Sequence, residues 1–366
     1  MPGYVDSMRD QIILITGGAG FVGANLAILL KKAYPSWHLL CLDNLKRRGS
    51  NLNLKRLMDN GITFIHGDVR AKEDLEIESP LDVIIECSAE PSVLAGYNSS
   101  PYYVINTNLM GTINCLELAR KKKGALIYLS TSRVYPINKL NSLNFEESET
   151  RYILSKDQPF QGASEDGIAT NFPISGYRSL YGASKLSSEL IINEYIYMYD
   201  LKAIINRCSV ITGPWQMGKV DQGVFAYWML AHYFKKELCY FGFGGHGKQV
   251  RDLLHINDLF ELVKIEIEQL SKLSGKTYNV GGGRKISLSL REATEICREI
   301  TGNRIPVMRR IEDREADIRI YISDNKDITK DTGWQPNIEP KVIISDIYYW
   351  IKQNEKDLEN IFLLNW

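Results

Sequence analysis

The segment Ile12-Ile-Leu-Ile-Thr-Gly-Gly-Ala-Gly-Phe-Val-Gly23 passes from an apolar run straight into glycines at 17, 20 and 23, and then into a helix-like stretch. Each glycine has a task in such a turn. The first permits the tight bend, and the second lets backbone approach a pyrophosphate. The third lets the helix lie close on the strand, with its N-terminal dipole facing the phosphates. Phe21 and Val22 sit in the same turn and count with Gly17, Gly20 and Gly23 as expected cofactor contacts. A glycine triplet alone is common; strand, triplet and helix in order carry the inference. A glycine-rich turn without a ligand is the competing account. Twenty residues past Gly23, at the end of the next apolar run, stand Asp43 and Asn44. A carboxylate there accepts hydrogen bonds from an adenosine ribose and repels a 2′-phosphate, which favours NAD over NADP. Lys46-Arg47-Arg48 pulls the other way, because basic side chains bind phosphate.

The rest of the chain fits a fold built around that turn. Short β-rich runs (Ile12–Thr16, His38–Leu42, Thr63–His66, Val83–Cys87, Ala125–Ser130, Ala203–Arg207) alternate with amphipathic stretches such as Phe21–Ala33, Val104–Lys122 and Tyr181–Tyr199. This alternation predicts an α/β fold, a Rossmann-type doubly wound parallel sheet. Asn138–Gly176 is long, polar and irregular, and is expected to be a functional loop or a lid. After Arg207, glycine clusters break the pattern into shorter units. The expected division is a dinucleotide-binding domain over 1–211 and 250–282, and a smaller α/β substrate lobe over 212–249 and 283–366. Among 366 residues, Lys plus Arg and Asp plus Glu each total 44, so net charge is zero. That argues against a nucleic-acid or polybasic membrane partner. No apolar run reaches the roughly 18 residues of a membrane span, and Met1–Asp10 lacks a signal-peptide core. The six cysteines are scattered without a Cys-x-x-Cys pair, as expected of free thiols in a cytoplasmic protein. The five isolated histidines give no reason to propose a metal.

Tyr181 and Lys185 stand four residues apart in a helical stretch, hence on one face, one turn apart. An ammonium beside a phenol stabilises the phenolate, so the Tyr181 pKa is expected to fall, letting it exchange a proton with an alcohol near neutral pH. Such a spacing also arises by chance in many helices. It gains meaning from the dinucleotide turn at the other end of the sequence.

Gly17-x-x-Gly20-x-x-Gly23, Gly67-Asp68-Val69, Leu129-Ser-Thr-Ser-Arg-Val-Tyr135, Tyr181-x-x-x-Lys185, Arg207…Gly213-Pro214, Arg251-Asp-Leu-Leu-His-Ile-Asn-Asp258 and Arg314-Glu-Ala-Asp317 stand in the order of the extended short-chain dehydrogenase/reductases. The resemblance covers residues 10–350. It implies a nucleotide-sugar epimerase, dehydratase or decarboxylase with tightly held NAD. It makes Thr131 the third catalytic residue beside Tyr181 and Lys185, and sets Asp68 and Val69 at the adenine and Ala89 along the cofactor, with Tyr181 and Lys185 also touching it. Arg251 and Arg314 match positions that hold a substrate pyrophosphate, which suits their forked geometry; surface ion pairs with Asp252 and Asp313 are the alternative. Cys239–Phe241 falls where relatives cradle the nucleotide base, or is a core strand.

Two departures from the family pattern narrow the chemistry. Dehydratases and decarboxylases carry an acidic side chain just after the catalytic Ser/Thr, whereas this chain has Ser132 and Arg133. A guanidinium is no general base, so oxidation and re-reduction remain, which is epimerisation. Val210 replaces a usual asparagine, leaving its contact to Ser209 or Thr212. The stretches Arg207–Gly223 and Gly247–Asp252, with Glu149–Tyr152 and the basic Arg133, resemble the branch that inverts carbon 2 of CDP-paratose to CDP-tyvelose. The expected substrate is such a CDP-hexose, or CDP-glucose/CDP-mannose, with Glu90, Arg133, Gln216, Lys219 and Gln222 among its contacts. The alternatives are a carbon-4 epimerase of a UDP- or dTDP-sugar and a non-catalytic NAD-binding sensor. In this family helices matching Val104–Lys122 and Tyr181–Tyr199 pair subunits, so a homodimer is expected.

Overall fold

A computed structural model of the chain describes residues 10–97, 99–218 and 222–363. Met1–Arg9, Lys219 and Asp221 lie outside the described residues. Seven parallel strands form the central sheet in the order Thr277–Val280, Ala203–Cys208, Ala125–Thr131, Val83–Glu86, Ile12–Thr16, His38–Asp43 and Thr63–His66. Strands covered on both faces must be apolar on both sides, which explains runs such as Ile12-Ile-Leu-Ile. Ile13 and Ile15 face helices Phe21–Ala33 and Ile256–Glu268, through Leu26, Leu30, Leu259 and Val263. Leu14, between them, faces the opposite layer with Leu116, Ala119, Ile192 and Ile205, under helices Gly111–Lys122 and Leu180–Tyr199. The doubly wound parallel sheet expected from the sequence is the observed one.

The stretch expected as one helix over Val104–Lys122 is interrupted. Tyr102–Ile105 leads into a wide π turn over Asn106–Met110 before the α-helix resumes at Gly111. Such turns mark places where a side chain is aimed for function, and Asn108 is the one aimed here.

A second sheet holds Val210–Thr212, Val250–His255, Ser287–Ser289 and Ile320–Tyr321, the second of these pairing with all the others. Leu238–Phe241 pairs in parallel with Val307–Arg310. The core beside these strands is built on helix Val224–Tyr233, where Phe225, Ala226, Trp228, Met229, Leu230, Ala231 and His232 are buried. Helices Leu290–Thr301 and Pro340–Gln353 pack around it through Cys297, Ile343 and Ile347. Helix Ile256–Glu268 and strand Thr277–Val280 then return the chain to the central sheet. Among the described residues no helix is long and apolar enough to cross a membrane.

Asn138–Gly176 is ordered, with short hairpins at Phe145–Glu147/Tyr152–Leu154 and Ala163–Ser164/Gly167–Ile168. It works as a clasp. Arg151 grips both Glu292 carboxylate oxygens (Nη2–Oε2 2.5 Å), the Ser287 hydroxyl and the Ser287 carbonyl. Glu292 also completes the capping box at the start of helix Leu290–Thr301. Ile168 bonds Ile322, and Leu140, Leu154 and Phe172 share a core with Ile318 and Ile320. Breaking the half-buried Arg151–Glu292 pair leaves a carboxylate under-satisfied at that cap. Arg151→Ala is therefore expected to cost about 2 kcal/mol, or a fall in Tm of about 3 °C. Differential scanning calorimetry checks this, and an unchanged Tm would mean the clasp is held by its apolar contacts alone.

Candidate active site

The order in which strands are added to the parallel sheet reverses between Ile12–Thr16 and Val83–Glu86, and the crevice at their carboxyl ends opens into a cavity of about 760 Å3. Ligands of open α/β sheets bind at this switch point. The glycines are required there by space. Gly17 has φ +65°, and a Cβ on it would lie 2.8 Å from the Ser88 amide nitrogen. A Cβ on Gly23 would lie 2.3 Å from the Gly17 carbonyl, so helix Phe21–Ala33 can start this close to the strand only without a side chain. Gly20 donates to the Gly17 carbonyl at 2.9 Å and begins that helix, whose N-terminal dipole faces the cavity. Asp43 accepts from the Ala19 amide (3.1 Å) and the Leu45 amide (2.7 Å), which fixes its carboxylate at the cavity wall. The cradle, the fixed carboxylate and the volume together fit a dinucleotide.

All the expected cofactor residues line this cavity: Gly17, Gly20, Phe21, Val22, Gly23, Asp43, Asn44, Asp68, Val69, Ala89, Tyr181 and Lys185. Glu90, Gln216 and Gln222 line it too. Asn44 donates to Asp68 (2.9 Å), and Arg70 holds Asp68 well below the usual carboxylate range. The basic run has other partners. Lys46 sits 3.2 Å from the centre of the Tyr103 ring. Arg47 donates to Gln222 and to the Met217 carbonyl, and Arg48 to the Asn360 carbonyl. The last two bring the loop before helix Val224–Tyr233 and helix Glu355–Leu363 against the cofactor turn.

Thr131 ends the central strand Ala125–Thr131, and Tyr181 begins helix Leu180–Tyr199, capped by the Ser179 side chain. Burial raises the Tyr181 pKa, while a hydrogen bond from Thr131 and the nearby Arg133 lower it. The expected fall driven by Lys185 is not what the structure has. Lys185 is buried with its ammonium 4.0 Å from the centre of the Tyr128 ring, and among its neighbours the buried Glu86 does most to keep it charged. Glu86 accepts from Thr112 (2.6 Å), and burial pushes its pKa up to about 7.

Three residues that position side chains of the site were given no role from the sequence. Asn108, on the π turn, bonds the Glu90 amide and carbonyl and the Ser184 hydroxyl, so it pins the cavity loop to the catalytic helix. Glu189 receives Ser130 and a forked Arg207. The signal for Glu189 was its spacing: Tyr181, Lys185 and Glu189 recur every four residues on one helix face. Asp317 is the third. It accepts from Arg251 at 3.3 Å and lies 3.6 Å from Arg314. The alternative partners behave otherwise: Asp252 is bonded to Ser209 and to the Gly283 and Ser323 amides, and Asp313 to the Phe243 amide. Burial and the neighbouring Arg133 and Arg314 push the Arg251 pKa down to about 9. A guanidinium so disfavoured as a cation is one that an anion would stabilise. Arg133, half-buried, donates to the Ala316 carbonyl at 3.1 Å and joins this group.

Cys239, Phe241 and Arg314 line a second cavity of about 470 Å3 with Met308 and Arg310. Arg314 stacks 4.9 Å from the Phe241 ring. Ser209 lines neither cavity, since its hydroxyl is taken by Asp252. Thr212 donates to Gln216, which donates to the Ile211 carbonyl.

A family model described as the NAD dependent epimerase/dehydratase family matches residues 13–281. The chain is 30% identical over 354 residues to the CDP-paratose 2-epimerase of Salmonella typhi, covering 92% of this chain and 98% of that protein. It is 27% identical to a putative UDP-glucose 4-epimerase of Methanocaldococcus jannaschii, covering 94% and 100%. Among solved structures, DesIV, a dTDP-glucose 4,6-dehydratase of Streptomyces venezuelae solved with NAD bound, aligns at TM-score 0.76 and 26% identity, over 96% of this chain and 99% of the other. The UDP-glucuronic acid 4-epimerase of Bacillus cereus shares the fold at TM-score 0.76 and 22% identity, over 93% and 99%. With a glycine turn at its switch point that fits a dinucleotide, and Thr131, Tyr181 and Lys185 on adjoining elements, the chain belongs to the NAD-dependent epimerase/dehydratase family of nucleotide-sugar enzymes.

Proposed function

We propose that this protein inverts carbon 2 of a CDP-hexose, converting CDP-paratose to CDP-tyvelose or CDP-glucose to CDP-mannose through a 2-keto sugar. The observation that carries the reading is the pair of side chains after Thr131. Ser132 and Arg133 stand where elimination needs an acid, and Arg133 is fixed on the Ala316 carbonyl beside Tyr181. The similarity to the Salmonella typhi enzyme supports the choice of base and carbon. The likeness to the archaeal 4-epimerase keeps carbon-4 epimerisation of a UDP-sugar as the second reading.

In this scheme the diphosphate is held by Arg251 and Arg314, and the base sits in the cavity lined by Phe241, Cys239 and Met308. Glu90, Arg133, Gln216 and Gln222 are the residues we assign to the sugar. The glycine cradle, Asp43 and Lys185 would hold NAD in the cavity they line. NAD, when bound, supplies the acceptor and then the donor of the hydride. Tyr181 as phenolate takes the proton of the 2-hydroxyl, while Thr131 hydrogen-bonds the same oxygen. The sugar then turns about its bond to the clamped diphosphate, and Tyr181 returns the proton with the opposite face presented. We assign the substrate lobe to 212–249 and 283–366, and place the enzyme in the cytoplasm, which suits six free cysteines. A homodimer fits the exposed Tyr102, Leu190, Tyr197 and Met198 on neighbouring helices.

Three outcomes test this. Tyr181→Phe is expected to lower turnover of CDP-paratose or CDP-glucose by about 10³-fold, with the thermal shift given by CDP retained; near-normal turnover would overturn the scheme, and preference for UDP-glucose would favour carbon 4. Gly23→Ala drives a methyl onto the Gly17 carbonyl, so the purified variant should carry less than about a tenth of the wild-type NAD, read by chromatography of the denatured protein. Leu190→Asp should convert a dimer to a monomer by light scattering, and a dimer that survives it would move the interface elsewhere.

A further inference from the structure

The second cavity has a polarity that runs along one strand. Leu238 and Tyr240 of strand Leu238–Phe241 are buried in the core beside helix Val224–Tyr233. Alternation turns Cys239 and Phe241 to the opposite face, and Glu237, just before the strand, falls in the same series. All three line the cavity. On the paired strand Met308 stands opposite Cys239 and Arg310 opposite Phe241, and both line the cavity as well.

The two ends of this floor carry opposite charge. At one end two guanidinium groups lie against the Phe241 ring, Arg314 at 4.9 Å and Arg310 at 5.5 Å from its centre. Four residues back, about 13 Å along an extended chain, stands Glu237. It is the one carboxylate among the described residues that line the cavity, and it has no hydrogen bond or ion pair among the described residues. Between the ends lie Cys239, whose thiol is turned to the Tyr240 carbonyl, and Met308, which is 58% exposed. A methionine thioether is a soft apolar surface on which a flat ring packs. The floor therefore suits an occupant that is anionic at one end, flat in the middle and a hydrogen-bond donor at the other.

We propose that Glu237 selects the base of the substrate, accepting a hydrogen bond from the exocyclic amino group of cytosine and turning uracil away. This rests on the reading of the substrate as a nucleotide sugar whose diphosphate lies on the arginines. With the diphosphate at the Phe241 end, the nucleoside extends along the floor and the edge of its base meets Glu237. At ring position 4 cytosine carries an amino group that donates, whereas uracil, like thymine, carries a carbonyl that accepts. An ionised carboxylate only accepts. Cytosine is bonded there, while uracil sets two acceptors face to face, each short of a donor. A group left unpaired in this way is what lets a site separate bases of nearly the same shape. Packing on Cys239 and Met308 fits either pyrimidine, so the choice falls to the carboxylate.

Isothermal titration calorimetry of the NAD-loaded protein with CDP, UDP and inorganic diphosphate tests this. Wild type is expected to bind CDP about tenfold more tightly than UDP, or better. In Glu237→Gln, whose amide both donates and accepts, the two should bind within about twofold of each other. Inorganic diphosphate should bind wild type and variant within about twofold, because it needs only the arginine end. A CDP preference that survives Glu237→Gln overturns the proposal and leaves the carbon-2 reading standing. A wild type that does not prefer CDP overturns it too. Parallel weakening of CDP, UDP and diphosphate also overturns it, since Glu237 would then shape the pocket rather than read the base. A CDP preference that Glu237→Gln abolishes, in an enzyme that inverts carbon 4, upholds the proposal and sinks the carbon-2 reading instead. Should Glu237→Gln not fold, loss of the preference in Glu237→Ala with diphosphate binding kept upholds the proposal, and a retained preference rejects it.

Discussion

The buried pair Arg207–Glu189 is the contact on which the catalytic arrangement depends. Arg207 ends the strand beside the catalytic one, and Glu189 lies two turns beyond Tyr181 on its helix. The guanidinium forks onto the carboxylate, 2.7 Å at the closest, and also donates to the Tyr135 hydroxyl and the Thr170 carbonyl. Glu189 in turn receives Ser130, the residue before Thr131. One ion pair therefore fixes the end of the strand that carries Thr131, the helix that carries Tyr181, and the clasp that includes Thr170. Tyr135 and Asn279 extend it to the edge strand of the central sheet. Burying two charges is costly, and removing one partner typically costs about 3–5 kcal/mol. The gain is geometric. Thr131 and Tyr181 come from separate elements, and a shared rigid anchor beneath them holds their hydroxyls in register.

The sheet was legible because its strands alternate cleanly with helices and because the glycine triplet admits one local geometry. Helix Phe21–Ala33 and strands Ile12–Thr16 and Thr63–His66 fall where the periodicity puts them. Hidden features were those that depend on partners distant in sequence. Nothing local in Asn106-Thr-Asn-Leu-Met110 announces a π turn, since Asn108 earns its place only against Glu90 and Ser184. The polar insert read as a loop because its order comes from Glu292, Ser287 and Ile322, more than a hundred residues away. Asp317 looked like one acid among many until Arg251 and Arg314 met on it.

Tyr181 shows how far spacing alone misleads. Four residues put Lys185 on the same helix face, and the spacing correctly marks both as cavity residues. It says nothing about how far a long side chain reaches. Lys185 runs down into the sheet, where Glu86 lies at the end of its strand and Tyr128 offers a ring face, so its charge is answered below Tyr181. Burial then dominates the phenol. A buried phenol is a poor base, and the hydrogen bond from Thr131 on the neighbouring strand works against that cost.

The arginine cluster around Asp317 has a charge pattern that suits an anion. Arg133, Arg251 and Arg314 against Asp317 leave two positive charges in a partly dry site, and the strain at Ala316 lies in the turn that carries two of the four groups. Water answers such charges weakly there, while like-charge repulsion is strong at low dielectric. A monoanion would leave one guanidinium unanswered. A diphosphate brings two negative charges and a spread of acceptor oxygens that match forked donors. In the proposed scheme it also leaves the hexose attached beyond it, near Tyr181. The charge count of the cluster therefore suits a doubly anionic group, as the proposed diphosphate is.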